Sequence, residues 1–356
     1  MEIIITAPSL DPAQNVSGVS SVTKFIIDNN PACRYHHFEI GKKDAESGGL
    51  RRIARLVKSF RTWKKMLGEK PNAIIHYNFP LSTKSVFRDS FFIWEAYRQG
   101  KKMAIHIHGG VFLTATRIPY VQRKILERIF SLDTPFIVLS ETEKKTVEER
   151  FRARHVEVLP NCIDLTDAKQ FRRDEKTCQP LTIGYLGRIE PNKGMTELLY
   201  ACQQLRKEGV PFKLEIAGKE EHGDEYLKAF DRELRGDFRY DGVVAGKEKA
   251  DFYKRTDVFV MPTYFEGLPM SLLECMSYGI VPVVTPVGSI PEVVEDGRNG
   301  LLVEKKNAEA IVKAIRQLSE NRTLLGTLGK KAQKTIFEQF SPEKYIANLN
   351  RIYQGL

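Results

Sequence analysis

Two glutamates stand eight positions apart in the stretch YFEGLPMSLLECMSYG, and the second of them interrupts an apolar run. The Gly-Leu-Pro after Glu266 is typical of a loop that opens a helix, because proline suits the first helical position, where its missing N–H costs nothing. Glu274 falls about two helical turns later, which returns it to roughly the same side as that loop. The spacing therefore predicts two carboxylates that face one cleft.

A second stretch, GYLGRIEPNKGM, places two cations on one loop. Arg188 follows a candidate strand and Lys193 precedes a candidate helix, while Gly187 and Gly194 keep the backbone open. Two cations beside a helix N-terminus form an anion site, and phosphate is its natural occupant. Either cation alone would more simply be a solvated surface charge. The stretch is not a Walker loop, since the Gly-Lys-Ser/Thr ending is missing.

Two weaker signals lie in the first half of the chain. HIHGG places His106 and His108 on one face of a strand that ends in two glycines, where a ligand can approach the backbone. We interpret His108 as functional and His106, further back in the strand, as a hydrogen-bonded structural residue. QNVSGVSSV follows the first strand, and its Gly18 would let a phosphate approach a helix N-terminus, although the motif is weak.

These residues lie in a chain of alternating short apolar runs and longer segments of helical period. Such alternation predicts parallel sheets covered by helices on both faces, with ligands bound beyond the carboxyl ends of the strands. The candidate strands are EIIITA, CRYHHFEI, NAIIHYN, MAIHIHGG, FIVLS, HVEVLP, LTIGYLG, FKLEIAG, DVFVMP, IVPVVT and GLLVE. Candidate helices include residues 84–99, 119–130, 141–152, 195–208 and 308–319.

At 356 residues the chain exceeds the usual size of one hydrophobic core, so we expect two domains. The polar stretch TDAKQFRRDEKTCQP interrupts the strand-helix rhythm and predicts a linker over residues 166–180. The two doubly wound domains would then span residues 1–165 and 181–340. We expect a final helix, residues 341–356, to pack back toward the first domain.

Composition narrows the class of protein. The net charge is +10, with +9 in residues 1–170 and +1 in residues 171–356. A basic half can indicate nucleic acid, an anionic membrane or an acidic substrate, and most often indicates only solubility. No basic leader or membrane-spanning apolar stretch is present, so we expect a cytoplasmic protein. The five cysteines are scattered, which argues against a metal site and favours buried thiols in a reducing compartment.

The basic excess includes GLRRIARLVKSFRTWKKMLGEK, which has helical period. We interpret its apolar positions as the core-facing stripe of a covering helix: Leu50, Ile53, Val57, Phe60, Trp63 and Leu67. Its polar positions are almost purely basic: Arg51, Arg52, Arg55, Lys58, Arg61, Lys64 and Lys65. Each cation near an anionic leaflet contributes about 1 kcal/mol, so residues 50–67 predict contact with an anionic membrane surface.

Together these motifs resemble glycosyltransferase family 4, whose members are retaining nucleotide-sugar-dependent enzymes of the GT-B fold. The resemblance covers most of the chain and is densest in residues 181–304. It depends on GRIEPNKG, EGLPMSLLECMSYGIVPVVT, GSIPEVVEDGRNGLLV, HIHGG and LPNCID. It implies an α/β protein with two Rossmann-like domains facing a central cleft.

The resemblance also implies roles for individual residues. Arg188 and Lys193 would hold the donor diphosphate, and Glu266 would lie beside the sugar hydroxyls. Glu274 would accept hydrogen bonds from the ribose, and His108 would lie near the donor sugar across the cleft. The expected catalytic residues are His108, Glu266, Arg188 and Lys193, and the donor-binding residues are Gly18, Gly187, Arg188, Lys193, Gly267, Leu268, Met270, Ser271 and Glu274.

The chemistry of sugar transfer suits these residue types. Negative charge develops on the leaving diphosphate, so cations and amides aimed at it stabilise the transition state. The family uses no obligatory metal, in agreement with the missing Asp-x-Asp pair, and a front-face displacement makes Glu266 a positioning group. Two departures weaken the match, because Ser-Gly replaces a common Gly-Gly at Gly18 and Pro269 removes one backbone donor.

We therefore expect a retaining glycosyltransferase that moves a hexose from a nucleotide diphosphate, with uridine as the expected base, to a glycan or lipid-linked acceptor. It would act at the inner face of the cell membrane, in bacterial surface polysaccharide or glycolipid synthesis. A nucleotide-sugar epimerase or a sugar phosphorylase of similar build is the alternative. A nucleic-acid-binding protein is a further alternative, although the second half is nearly neutral and no aromatic stacking motif is visible.

Overall fold

The computed structural model of the chain describes residues 1–11, 14, 15, 17–41, 50–173, 180–221, 223 and 225–356, apart from the side chains of residues 50–53. Two compact units account for these residues. The N-terminal unit comprises residues 1–162 together with the C-terminal segment 342–356, and the C-terminal unit comprises residues 163–341. Each unit has its own sheet and its own apolar core.

The N-terminal unit contains a parallel six-stranded sheet in the order β2-β1-β3-β4-β5-β6. The inner strands β1, β3 and β4 are buried almost throughout because helices cover both faces, which explains their continuous apolar runs. The strands are β1 Glu2–Ala7, β2 Arg34–Glu39, β3 Ile74–Phe79, β4 Met103–Ile107, β5 Phe136–Val138 and β6 Val156–Val158.

The described part of this unit contains the helices α1 Gly18–Asn29, α2 Leu50–Glu69, α3 Thr83–Arg98, α4 Val111–Thr114, α5 Tyr120–Phe130, α6 Glu141–Phe151 and α14 Pro342–Gln354. The last helix, α14, packs against α1 and buries Tyr345, Leu349, Ile352 and Tyr353. Helix α14 therefore belongs to the N-terminal unit.

The C-terminal unit contains a second parallel six-stranded sheet, in the order β9-β8-β7-β10-β11-β12. This is the Rossmann order, in which the chain reverses its direction of winding between β7 and β10. The strands are β7 Leu181–Leu186, β8 Phe212–Ala217, β9 Phe238–Tyr240, β10 Val258–Met261, β11 Val281–Val284 and β12 Leu301–Leu302.

The helices of the C-terminal unit are α7 Thr166–Gln170, α8 Met195–Lys207, α9 Glu225–Leu234, α10 Gly246–Arg255, α11 Met270–Ser277, α12 Ala308–Glu320 and α13 Arg322–Gln339. Two short 3-10 turns, Pro191–Lys193 and Ile290–Glu292, lie in loops after β7 and β11. Helices α8 and α12 contact each other and carry much of the core on one face of the sheet.

This architecture confirms the predicted class, α/β with two Rossmann-like sheets. All eleven candidate strands are present, and one further strand, β9, was not predicted because it is three residues long, lies at the sheet edge and leaves Arg239 and Tyr240 exposed. The segment predicted as a linker begins with helix α7, and the compact units divide after Cys162.

The basic helix α2 departs from its predicted apolar stripe. Trp63 and Leu67 are fully buried and Phe60 packs against the core, but Val57 is 48% exposed. The predicted core positions Leu50 and Ile53, and the cations Arg51 and Arg52, lie outside the described side chains. Among the described positions of the stripe, Phe60, Trp63 and Leu67 in the second half of the helix serve as core, and Val57 does not.

Four cysteines of the described residues, Cys33, Cys162, Cys202 and Cys275, are buried free thiols. The fifth, Cys178, lies outside the described residues. Within the described ranges, every helix is too short or too polar to cross a membrane.

Candidate functional site

The first candidate site lies at the carboxyl ends of β7 and β10, where the winding of the C-terminal sheet reverses. Loops that leave two adjacent strands in opposite directions open a crevice at this point, and open α/β sheets bind ligands there. The loop after β7 holds Arg188 and Lys193, and the loop after β10 holds Glu266. Strand order alone therefore brings together residues more than 70 positions apart.

The two loops bind each other through the backbone. The N–H of Tyr264 donates to the carbonyl of Asn192 over 2.9 Å, and the Thr263 hydroxyl donates to the same oxygen. Gly194 has φ +74° and lies against Pro262, so closely that a Cβ would overlap the Pro262 carbonyl. Gly194 is thus required by the contact between the loops as well as by its left-handed backbone.

Lys193 and Glu266 form an ion pair across the crevice, from Nζ to Oε1. Their side chains are 22% and 17% exposed, so water and ligands reach both groups. The structure therefore joins the cation predicted for a phosphate to the carboxylate predicted for a sugar. An incoming anion would compete with Glu266 for the Lys193 ammonium.

Arg188 is more loosely held. Its side chain is 46% exposed, and its Nε lies 3.8 Å from Oε1 of Glu221, on the loop after β8. Its own carbonyl accepts a hydrogen bond from the buried hydroxyl of Tyr185 over 2.5 Å. The backbone of Arg188 is therefore anchored, whereas its guanidinium can turn toward an anion. Glu221 was not predicted from the sequence.

The loop from Glu266 to Pro269, which precedes helix α11, is held in place by backbone contacts with Gly288 and Ser289. The N–H of Ser289 donates to the carbonyl of Gly267 over 3.0 Å, and Gly288 packs against the carbonyl of Glu266. The amides of Met270 and Ser271 follow in the first turn of α11, where a helix offers no acceptor of its own. Together with Gly267 and Leu268, they form the backbone edge predicted for donor binding.

Pro269 does not occupy the predicted position. The glycine-leucine-proline pattern predicted proline as the first helical residue, but Pro269 is the N-cap, with an extended backbone at φ −68° and ψ 127°. An N-cap residue has a non-helical backbone conformation, and only its carbonyl takes part in the hydrogen bonds of the helix. The helix therefore begins at Met270, one residue later than predicted.

Glu274 contacts a different set of partners from Glu266. Its Oε1 accepts from the Lys249 ammonium over 2.6 Å and its Oε2 accepts from the Tyr253 hydroxyl over 2.7 Å. Burial, together with the charge of Glu274, raises the pKa of Tyr253 well above its ordinary value, so the phenol stays a donor. Each carboxylate oxygen retains a lone pair for a further donor.

Lys249 and Tyr253 were missed by the sequence prediction. Both lie on α10, four residues apart and therefore on one face of the helix. That spacing was the available signal, but only the packing of α10 beside α11 shows that this face meets Glu274. The charges described so far are paired throughout, since three cations meet three carboxylates.

The second candidate site lies in the N-terminal unit, after β4. The Nε2 of His108 lies 2.6 Å from the side-chain oxygen of Asn78 at the end of β3. The ring of His108 lies against that of His106, tilted by 35° with centroids 4.0 Å apart. Burial, and to a smaller extent the charge of the nearby His76, lowers the pKa of His108 to about 3. The imidazole is therefore neutral at physiological pH.

The glycines of the N-terminal unit differ in what they do. Gly110 has φ +140° and lies directly against Leu81, so the packing of the protein itself requires glycine there. Gly18 is the first residue of α1 and has nothing within 4 Å of an added Cβ among the described residues. The Oγ of Ser17 caps this helix by accepting from the N–H of Ser20 over 3.2 Å.

Comparison with known proteins identifies the C-terminal unit. Residues 167–335 match the family model for glycosyl transferases group 1. The chain is 25% identical over 279 residues to an uncharacterized glycosyltransferase of Methanocaldococcus jannaschii, covering 74% of this chain and 71% of that protein. It is 29% identical over 178 residues to the capsular polysaccharide biosynthesis glycosyltransferase CapM of Staphylococcus aureus, covering 48% of this chain and 45% of CapM.

The whole chain also matches solved structures. Anabaena HepE, crystallised with UDP and glucose, superposes with a TM-score of 0.74 at 16% identity, covering 99% of each chain. A similarity at this identity shows the fold, which is GT-B. The protein is thus a transferase enzyme with a group 1 glycosyltransferase domain.

Proposed function

We propose that the protein is a retaining glycosyltransferase of family 4 that moves a hexose from a UDP-sugar to a glycan or lipid-linked acceptor. The observation that carries this proposal is the Lys193–Glu266 pair at the β7/β10 reversal, beside the first turn of α11. A cation, a carboxylate and the first-turn amides of a helix suit a sugar joined to a phosphate. The UDP and glucose bound to HepE and the capsular role of CapM support the donor and the pathway class.

The diphosphate would bind to the cations and to the first-turn amides. Lys193 would leave Glu266 for the phosphate, and Arg188 would turn from Glu221 to the same group. These donors are worth most when the bond to the sugar breaks, because the leaving diphosphate gains negative charge at that moment. Glu266, released by Lys193, would then accept from the sugar hydroxyls.

The remaining groups would orient the two substrates. Glu274, held by Lys249 and Tyr253, would accept from the ribose hydroxyls with its remaining lone pairs. His108, neutral and fixed by Asn78, would contact a sugar or acceptor hydroxyl. The leaving phosphate would take the acceptor proton, so Glu266 would act as a positioning group, and we propose that no metal ion is obligatory.

The acceptor would be presented at an anionic membrane face by α2 and α3. Lys58, Arg61, Lys64 and Lys65 are exposed on α2, although Lys64 also lies 3.6 Å from Glu95. Leu56 and Val57 of α2 and Phe87 and Phe91 of α3 are exposed as well, and Leu56, Phe87 and Phe91 line a surface cavity of about 450 Å³. Exposed apolar groups among cations are typical of interfacial helices.

A nucleotide screen followed by a transfer assay tests the enzymatic proposal. Thermal shift against the common nucleoside diphosphates should select UDP, and the matching UDP-sugars should then be tested with glycan and lipid-linked acceptors. Transfer with retained anomeric configuration supports the proposal. Release of an epimerised sugar, or of a sugar phosphate, without transfer to the acceptor would instead establish an epimerase or a phosphorylase.

Vesicle co-sedimentation tests the membrane proposal. Binding to vesicles that contain phosphatidylglycerol should weaken at high salt and when Lys58, Arg61, Lys64 and Lys65 are changed to Gln, at about 1 kcal/mol per contacting cation. The matched control changes four exposed lysines of the C-terminal unit to Gln: Lys207, Lys213, Lys247 and Lys254. Equal loss in both variants, or no binding by the unmodified protein at low salt, would refute a role for α2.

A further inference from the structure

A buried polar cluster surrounds His108 and has no assigned role. It consists of Asn78 and His76 on β3 and His106 on β4, all of which are nearly or fully inaccessible to solvent. Burying these three polar side chains in an otherwise apolar core is costly unless their hydrogen bonds are satisfied in a definite pattern. The pattern of donors and acceptors in this cluster can be worked out from its outer contacts.

The side-chain amide of Asn78 has one possible orientation. Its Nδ2 donates to the carbonyl oxygen of Thr6 over 2.6 Å and to the Thr23 hydroxyl over 2.9 Å. A backbone carbonyl can only accept, so the NH₂ group must lie on the side of Thr6. The Oδ1 atom therefore faces the histidines, and it can only accept hydrogen bonds from them.

This orientation determines where His108 carries its proton. Because Oδ1 only accepts, Nε2 of His108, 2.6 Å away, must be the donor. A neutral imidazole has one N–H, so Nδ1 of His108 carries a lone pair and no proton. By the same logic Nε2 of His76, 3.2 Å from Oδ1, is a donor, and its Nδ1 accepts from the Tyr353 hydroxyl of α14 over 2.7 Å.

We infer that Asn78 is a positioning residue that holds His108 in the Nε2–H tautomer, so that Nδ1 is the ring nitrogen available to accept a hydrogen bond from a substrate hydroxyl. This inference rests on the proposed function, in which His108 contacts a sugar or acceptor hydroxyl. It assigns the direction of that contact, with the hydroxyl donating and the histidine accepting. Asn78 lies 30 residues before His108 in the sequence, so the motif HIHGG by itself does not indicate this contact.

The groups around His108 keep it neutral. In the part of the chain that the structure describes, the titratable side chains that face it are His106 of β4 and His76 of β3, with Tyr353 of α14 behind His76. Among the described residues, no carboxylate hydrogen-bonds to this cluster. A positive charge on His108 would therefore have no counter-ion, and the single acceptor at Oδ1 selects a tautomer, not an ionised form.

The tautomer can be measured directly on the unmodified protein. Long-range ¹H–¹⁵N correlation spectra of histidine-labelled protein at neutral pH should show a protonated Nε2 and a bare Nδ1 for His108, assigned by loss of its signals in His108→Asn. A protonated Nδ1 would overturn the inference. Because this measurement needs no substrate, it stays valid if no sugar transfer is found, and the proposed function would then fail separately.

Variants of Asn78 test the effect on catalysis. Asn78→Ala should lower kcat about 10- to 100-fold, as expected when a catalytic-site contact is misplaced, with UDP affinity unchanged because nucleotide binding uses the C-terminal unit. Thr23→Val removes one contact to the same amide but leaves the Thr6 carbonyl to orient it, so kcat should stay near that of the unmodified protein. Equal losses in both variants would indicate a merely structural role.

The pH dependence of the rate distinguishes a change in the protonation of His108 from a general loss of folded protein. Asn78→Asp places a negative charge beside His108 and raises its pKa, so the rate of this variant should fall as the pH drops and Nδ1 gains a proton. The unmodified protein should show no such fall near neutral pH. An Asp variant that is slower by the same factor at every pH would refute the inference.

Discussion

The two candidate sites differ in the charge and in the burial of their side chains. At the β7/β10 reversal, Lys193, Lys249 and Arg188 each meet a carboxylate in a partly exposed crevice. Around His108, neutral rings and an amide are buried among themselves, and burial lowers the pKa of each histidine. Paired charges near water can be rearranged by an incoming anion, whereas a buried neutral cluster can only offer directed hydrogen bonds. The first site suits a phosphate and the second a hydroxyl.

The largest effect is expected from removing the cation at the centre of the charged site. Lys193→Ala should lower kcat by about 100- to 1,000-fold, because the charge it stabilises grows in the transition state. UDP affinity should fall less, by about 1.5 to 3 kcal/mol. Steady-state kinetics and calorimetry measure the two quantities. The exposed Lys207 on α8 is the matched control, and unchanged values in Lys193→Ala would remove the phosphate site.

The next effect would separate the two glutamates within the charged site. Glu266→Ala should chiefly lower kcat, since Glu266 is expected at the sugar. Glu274→Ala should chiefly weaken UDP binding, and it also leaves the Lys249 ammonium without its carboxylate. Comparing kcat with the dissociation constant of UDP for each variant distinguishes them. The reverse pattern would mean that the two roles have been exchanged.

The buried histidines predict a smaller effect, which is a decrease in the free energy of unfolding at acid pH. The pKa values of His76 and His108, about 4 and about 3, lie below the unfolded value of about 6.5. As the pH falls below about 6.5, the unfolded chain binds more protons than the folded chain, so the free energy of unfolding decreases. The slope approaches about 1.4 kcal/mol per pH unit for each such histidine.

Tryptophan fluorescence can follow this change in the N-terminal unit, because both tryptophans, Trp63 and Trp94, belong to it. Burial also lowers the pKa of His106, so His106→Phe should flatten the slope. The change removes the contact of Nδ1 with Nε2 of His76, whereas Nε2 of His106 has no hydrogen-bond partner among the described residues. His155→Gln, at an exposed position, is the control. A slope that is equal in all three proteins would show that the buried histidines do not set the acid stability.

The smallest effect is expected from chelation. If the charged site stabilises the leaving diphosphate with Lys193, Arg188 and helix amides alone, transfer should proceed at nearly the same rate in EDTA. The initial rate with and without added Mg²⁺ or Mn²⁺ is the measurement. Complete loss in EDTA with recovery on adding a divalent ion would show that the paired cations are not sufficient.

The sequence by itself determined the strand-helix alternation, the two α/β domains and the loops that hold Arg188, Lys193, Glu266 and His108. These features are local, because apolar runs, glycines and helix starts act over a few residues. Val57 shows where local pattern fails, since helical spacing cannot tell which turn of α2 meets the core.

Only the tertiary structure decided which groups meet. The pairing of Lys193 with Glu266 depends on β7 lying beside β10, and the contacts of Glu274 depend on how α10 packs beside α11. Asn78 reaches His108 because β3 pairs with β4, and Tyr353 reaches His76 because the last helix joins the N-terminal unit. Strand order and helix packing arise from burial of the whole apolar surface, a property that no short segment contains.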